Sequence, residues 1–170
     1  MAAKYLVRHG GRAICLVAIL VAHIPTAQAA CPVELSVYED SSKMAGIDFR
    51  PTGHSMVVTN TFRMNLRNGI QLDGIVMWSK ETPRPYASLH YQCPEGDVTG
   101  EEIAECTLWE GPLYAVGQDG KASLMPAEAT PAPQALILPD LGPALHQAAI
   151  FGEDAKDIPE DIFRLSGCQE

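Results

Sequence analysis

The chain has 170 residues, 46% apolar, 19% charged and 6% aromatic, with 14 Gly, 13 Pro and a formal charge of −9. These proportions fit one compact domain and exclude collagen-like, coiled-coil and wholly disordered chains. An acid excess of this size disfavours binding to nucleic acid or to an anionic membrane surface.

Residues 1–29 read as a secretory signal. Lys4, Arg8 and Arg12 form a basic leader without an acid, Ala13 to Ile24 is apolar except for His23, and Ala27-Gln28-Ala29 offers small residues to a signal peptidase. The apolar run falls short of the roughly 17–25 residues that a membrane span takes. Cleavage after Ala29 leaves one exported domain, residues 30–170, with no membrane insertion. Its formal charge goes from −9 to −12, because three of the 12 Lys and Arg leave with the leader. Gln28-Ala29-Ala30-Cys31 also admits a lipid-anchored form acylated on Cys31. Against that form, Gln28 stands where such signals carry a branched apolar residue, and acylation strands one thiol of the remaining cysteines.

Those cysteines are Cys31, Cys93, Cys106 and Cys168, which allow three pairings. A local bridge between Cys93 and Cys106 with a terminus-to-terminus bridge between Cys31 and Cys168 is the simplest of them. Loop entropy gives the long bridge roughly 4–5 kcal/mol and the short one about 3 kcal/mol. There is no Cys-x-x-Cys, which argues against disulfide exchange and against a zinc ribbon.

Apolar residues recur at every second position through the first half, the period of half-buried strands. Val33, Leu35 and Val37 alternate with Glu34, Ser36 and Tyr38. Met56, Val58, Phe62, Met64 and Leu66 share one parity, broken only by Asn60. Asn68-Gly69 then marks a hairpin into Ile70, Leu72, Val76 and Trp78. A loop of Arg67-Asn68-Gly69 pairs 66 with 70, 64 with 72 and 58 with 78, which sets all these apolar residues on one face. A type I turn with a bulge follows, with Gly69 left-handed. Thr82-Pro83-Arg84-Pro85 interrupts the pattern, and Ala87, Leu89, Tyr91 and Cys93 resume it. Thr99-Gly100-Glu101-Glu102 has capping-box spacing and predicts a helical turn over 100–105. Residues 106–109 and 113–116 read as strands, and Gln118-Asp119-Gly120 turns the chain into 121–125.

From Pro126 the composition becomes rich in Pro and Ala, a stiff connector over 126–142. The remainder, 143–170, reads as helical. Pro143 opens a helix with Ala144, Leu145, Ala148, Ala149 and Phe151 as its apolar stripe, and Asp157, Pro159, Glu160 and Asp161 open a second that closes at Gly167. The expected fold is therefore α+β: an antiparallel sheet of about five to seven short strands over 31–125, covered by two C-terminal helices and held by two disulfides.

Candidate chemistry is sparse. Gly53-His54-Ser55-Met56-Val57 comes close to the Gly-x-Ser-x-Gly nucleophile elbow, but Val57 replaces the last glycine and the segment enters a strand. His54 and Ser55 are the candidates for a small hydrolase with a spatially assembled site. His54, His90 and His146 lack metal-pair spacing; Met44, Met64 and Met77 are soft ligands for copper, yet the methionines that fall on the buried parity read as core. Glu153, Asp154, Asp157, Glu160 and Asp161 lack the pattern of a calcium loop and suit a helix N-terminus. Trp109, with Trp78, Tyr86, Tyr91 and Tyr114, offers aromatic surface for a sugar or peptide, although Trp78 falls on the predicted core face. No motif calls for a cofactor. Residues 95–170 hold 15 acids against three bases, whereas 30–94 are balanced. The expectation is a periodic-sheet, non-enzymatic binding or accessory module, periplasmic or secreted, for a protein or glycan partner, with the acidic half suited to a cationic one.

Overall fold

The computed structural model describes residues 30–53, 57–78, 83–152 and 158–170. A 3-10 turn at Val33–Leu35 leads into β1 (Ser36–Asp40), β2 (Ala45–Arg50), β3 (Val58–Leu66), β4 (Gln71–Trp78) and β5 (Pro85–His90). Helix α1 (Gly100–Cys106), β6 (Thr107–Pro112), β7 (Tyr114–Val116), β8 (Ala122–Leu124), β9 (Ala135–Ile137), helix α2 (Leu141–Gln147) and β10 (Ile162–Cys168) follow. The ten strands form one sheet in the order β6-β5-β4-β3-β2-β1-β10-β9-β7-β8.

Leu113 alone separates β6 from β7, yet eight strand spacings lie between them in that order. At about 4.8 Å per spacing, a flat sheet would hold them roughly 40 Å apart. The sheet therefore curls into a half-barrel, with the bent segment 107–116 joining its two ends and Leu113 buried at the corner. One apolar cluster fills the curl, from Tyr38, Phe49 and Met64 across to Leu136 and Phe163. Helix α2 adds Leu141 and Leu145 to the same cluster.

The β3–β4 hairpin has the expected turn. Met64 lies opposite Leu72, Leu66 N–H donates to Ile70 O at 2.8 Å and Gly69 N–H to Leu66 O at 2.9 Å, with Gly69 at φ +89°. Further along, the register differs. A bulge between Val58 and Asn60 sets Val58 opposite Met77, and Trp78 ends β4 opposite Pro85, 50% exposed and past the core. Phe62 lies opposite Gly74, where a Cβ would stand 2.3 Å from its ring. Glycine is what lets that ring lie flat over β4 and meet Phe49 at a centroid distance of 5.5 Å.

The first strand also departs from expectation. The 3-10 turn at Val33–Leu35 delays β1 and inverts its parity, so Ser36, Tyr38 and Asp40 are buried and Val37 is not. Each of these three buried polar groups of β1 has its partners. Ser36 Oγ donates to Val33 O at 2.6 Å and the Tyr38 hydroxyl to Pro133 O at 3.0 Å. Asp40 accepts from Met44 N–H at 2.8 Å, Ala45 N–H at 3.0 Å, Glu160 N–H at 3.4 Å and the Ser42 hydroxyl. This one carboxylate closes the β1–β2 hairpin and ties the tail to it.

Strand count and helix positions correct the expected fold class. Helix α1 forms where the capping box stands and α2 near the expected Pro143 start, but residues 162–168 are strand β10 rather than a second C-terminal helix. The segment expected to be that helix alternates instead: Phe163 is fully buried while Ile162 and Arg164 are exposed. Because β10 sits between β1 and β9, it gains ladder bonds on both sides, which outweigh local helix capping. Strand β9 arises within the Pro/Ala-rich stretch and pairs with β7 and β10.

The simplest cysteine pairing is the one present. Cys31 bonds Cys168 with a Cα–Cα distance of 5.7 Å, and Cys93 bonds Cys106 at 5.2 Å. Two such bridges belong to an oxidising, extracytoplasmic environment. Among the described residues, no helix is long and apolar enough to cross a membrane.

Candidate functional site

Among the described residues, the sheet has a free edge at β6, which pairs with β5 on one side only. Leu113 N–H donates to Pro85 O at 3.5 Å and fixes the phase of that ladder. Hydrogen-bonded pairs alternate along an antiparallel ladder, so Gly111 and Trp109 turn their backbone groups toward β5. Glu110 and Pro112 turn theirs away. Pro112 has no N–H to lose there, which is why proline is tolerated on this strand.

A groove of about 990 Å³ follows the whole length of β6. Ile103 and Ala104 of α1 form one wall, Pro139, Asp140 and Ala144 of the α2 corner another, and Arg84 and Tyr86 stand at the Pro112 end. The α1 wall is built by local chemistry. The Thr99 hydroxyl accepts Glu102 N–H at 3.3 Å while the Glu102 carboxylate accepts Thr99 N–H at 2.8 Å. That reciprocal cap starts α1, and the Thr99 backbone and hydroxyl hold the Glu102 carboxyl below its ordinary range. The Cys93–Cys106 bridge fastens the other end of the helix.

The opposite wall depends on Trp109 and Asp161. The indole N–H of Trp109 donates to Pro139 O at 2.9 Å, pinning the α2 corner to β6. Asp161 accepts Asp140 N–H at 2.9 Å and Gly142 N–H at 3.4 Å, so it caps α2 from the far end of the chain. The tail acids that the sequence assigned to a second helix thus include one that serves a different helix N-terminus. Gly142 is required there, since a Cβ would stand 2.5 Å from Pro159 O.

The charges of the groove are mostly negative. Glu110 and Asp140 are exposed in it, and α1 carries exposed Glu101 and Glu105 alongside. Arg84 is the exception; half-buried, it donates to the Tyr114 hydroxyl at 3.0 Å rather than to an acid. On the outer face beside Glu110, burial pushes the His90 imidazole pKa down, opposed by Asp73 and Glu110.

Of the residues singled out from sequence, Trp109 stands at this groove, 5% exposed, with its ring over Gly111, where a Cβ would lie 2.8 Å from Cζ2. His54 and Ser55 lie outside the described residues. Met44 and Met64 are buried in the interior, and among the described residues no three His, Cys, Asp or Glu side chains are placed to hold a metal ion. The convergence of Arg84, Tyr86, Glu110 and Asp140 was not legible from sequence, because they come from three separated segments. Pro112 was the available signal for an edge strand. Comparison of the chain with known protein families, curated proteins and solved structures finds no match.

Proposed function

We propose that this protein is a non-enzymatic binding module, exported through its leader to the periplasm or secreted, that holds its ligand in the β6 groove. The observation that carries this reading is a strand edge, unpaired among the described residues, on the floor of a groove of about 990 Å³. A volume of that order suits a bound ligand, and the groove has both apolar walls and placed polar groups. The soluble form is supported by the Cys31–Cys168 bridge, which occupies the sulfur that acylation would need.

The test is amide-resolved NMR of the oxidised protein against a panel of short peptides and oligosaccharides. A binder is expected to shift amides of residues 107–112 and 139–147 and to be recovered chemically intact. Cleavage of the ligand, or shifts confined to strands β1 to β3, would overturn the proposal.

A further inference from the structure

We infer that the occupant of this groove is an extended peptide with basic side chains, which adds to β6 as a further strand. The inference rests on the reading of the groove as a binding site and names the class of its ligand. Its starting point is the backbone. Glu110 presents both its N–H and its C=O away from β5, and Pro112 its C=O, into a groove rather than against a neighbouring strand. Exposed strand edges are completed by extended backbone, with pockets beside the edge selecting alternate side chains. The six residues of β6 extend about 20 Å, enough for a comparable length of added strand.

Charge selects among the possible occupants. A second copy of this chain pairing through the same edge would set Glu110 near Glu110 in a protein of formal charge −9, which like-charge repulsion opposes. A sugar is usually received on an exposed aromatic face. Trp109 offers none, being 5% exposed with its ring spent on Gly111 and its N–H on Pro139. A basic peptide meets Glu110 and Asp140 within the groove and the acids of α1 beside it. Arg84 at the Pro112 end repels a basic side chain there, so the basic residues of the peptide lie toward the Thr107 end.

The experiment titrates the oxidised protein with an acetylated, amidated peptide of alternating Lys and Val, followed by calorimetry and amide NMR. Two companions are used: the same peptide N-methylated at every second residue, and a version with Glu for Lys. The Lys peptide binds and shifts the Glu110 amide. N-methylation, which removes backbone donors while keeping charge, weakens binding about tenfold or more, and so does the exchange of Lys for Glu. In the protein, the double substitution Glu110→Lys with Asp140→Lys, both at exposed positions, reverses the preference between the Lys and Glu peptides. Equal binding of the N-methylated peptide, equal binding of the Glu peptide, or a β6-paired dimer in sedimentation with no peptide present overturns the inference. If no peptide binds but an oligosaccharide shifts the groove amides, this inference falls while the binding module stands. If neither shifts them, both fall.

Discussion

Replacing Cys31 and Cys168 together by serine isolates the contribution of the long bridge. The two cysteines are 137 residues apart, against 13 for Cys93 and Cys106. Loop-closure entropy assigns about 5 kcal/mol to the long bridge and about 3 kcal/mol to the short one, a difference of about 2 kcal/mol. Packing does not confuse the comparison in the long case, since Cys168 is exposed and Cys31 half-buried, whereas Cys106 is buried. Small domains have roughly 5–15 kcal/mol in total, so losing the long bridge removes a large share of it. Urea unfolding of the two double variants and the parent, followed by tryptophan fluorescence without reductant, reads the difference directly. The Cys31/Cys168 variant is expected to be the less stable. If the Cys93/Cys106 variant loses as much or more, restriction of the unfolded chain is not what the long bridge supplies, and the entropic argument fails.

Three further outcomes follow from the interior. Gly74→Ala forces its Cβ into the Phe62 ring and is expected to cost toward the upper end of roughly 1–3 kcal/mol. Adding Phe62→Leu recovers part of that loss, and strict additivity in a double-mutant cycle would falsify the contact. Burial pushes the Tyr38 phenol up to about 12 from an ordinary value of 10.0, against the hydrogen bond from Ser36. The raised value favours the neutral form in the fold, so its stabilisation is complete below pH 10.0 and is lost as pH rises toward about 12. The loss amounts to about 2–3 kcal/mol, and denaturation across that window is expected to flatten in Tyr38→Phe. His90 carries the opposite sign. Its pKa is lowered from 6.5 in the fold, first by burial, so its contribution is present above pH 6.5 and is lost as pH falls below it. Substitution by Gln is expected to remove that portion of the acid sensitivity in thermal melts, and an unchanged acid limb argues against it.

Apart from the cysteine pairing, what the sequence made legible was local. The turn at Arg67-Asn68-Gly69, the capping box at Thr99 and Glu102, and the alternation of β3 and β4 each depend on residues within one or two turns of chain. The failures arose where distant partners decide. Phe163 became a strand residue because β1 and β9 stand on either side of it, 123 and 27 residues away in the pairs Asp40–Phe163 and Leu136–Phe163. Tyr38 turned inward because a short 3-10 turn moved the start of β1, which a parity count cannot register. The groove was hidden for the same reason. Glu110 and Asp140 are 30 positions apart and line one groove because Trp109 reaches Pro139 and Asp161 holds Asp140.

The place of β10 also governs the order in which the fold can be completed. Strand β1 is among the first parts of the described chain to emerge in synthesis, yet one of its two neighbours consists of residues 162–168. Until those residues are released, β1 and β9 both present bare edges, and the curl cannot close. Vectorial emergence therefore delivers a chain that stays open until β10 has emerged. A chain cut short before Ile162 lacks an interior strand, and its two exposed edges mark it for pairing with other chains or for proteolysis.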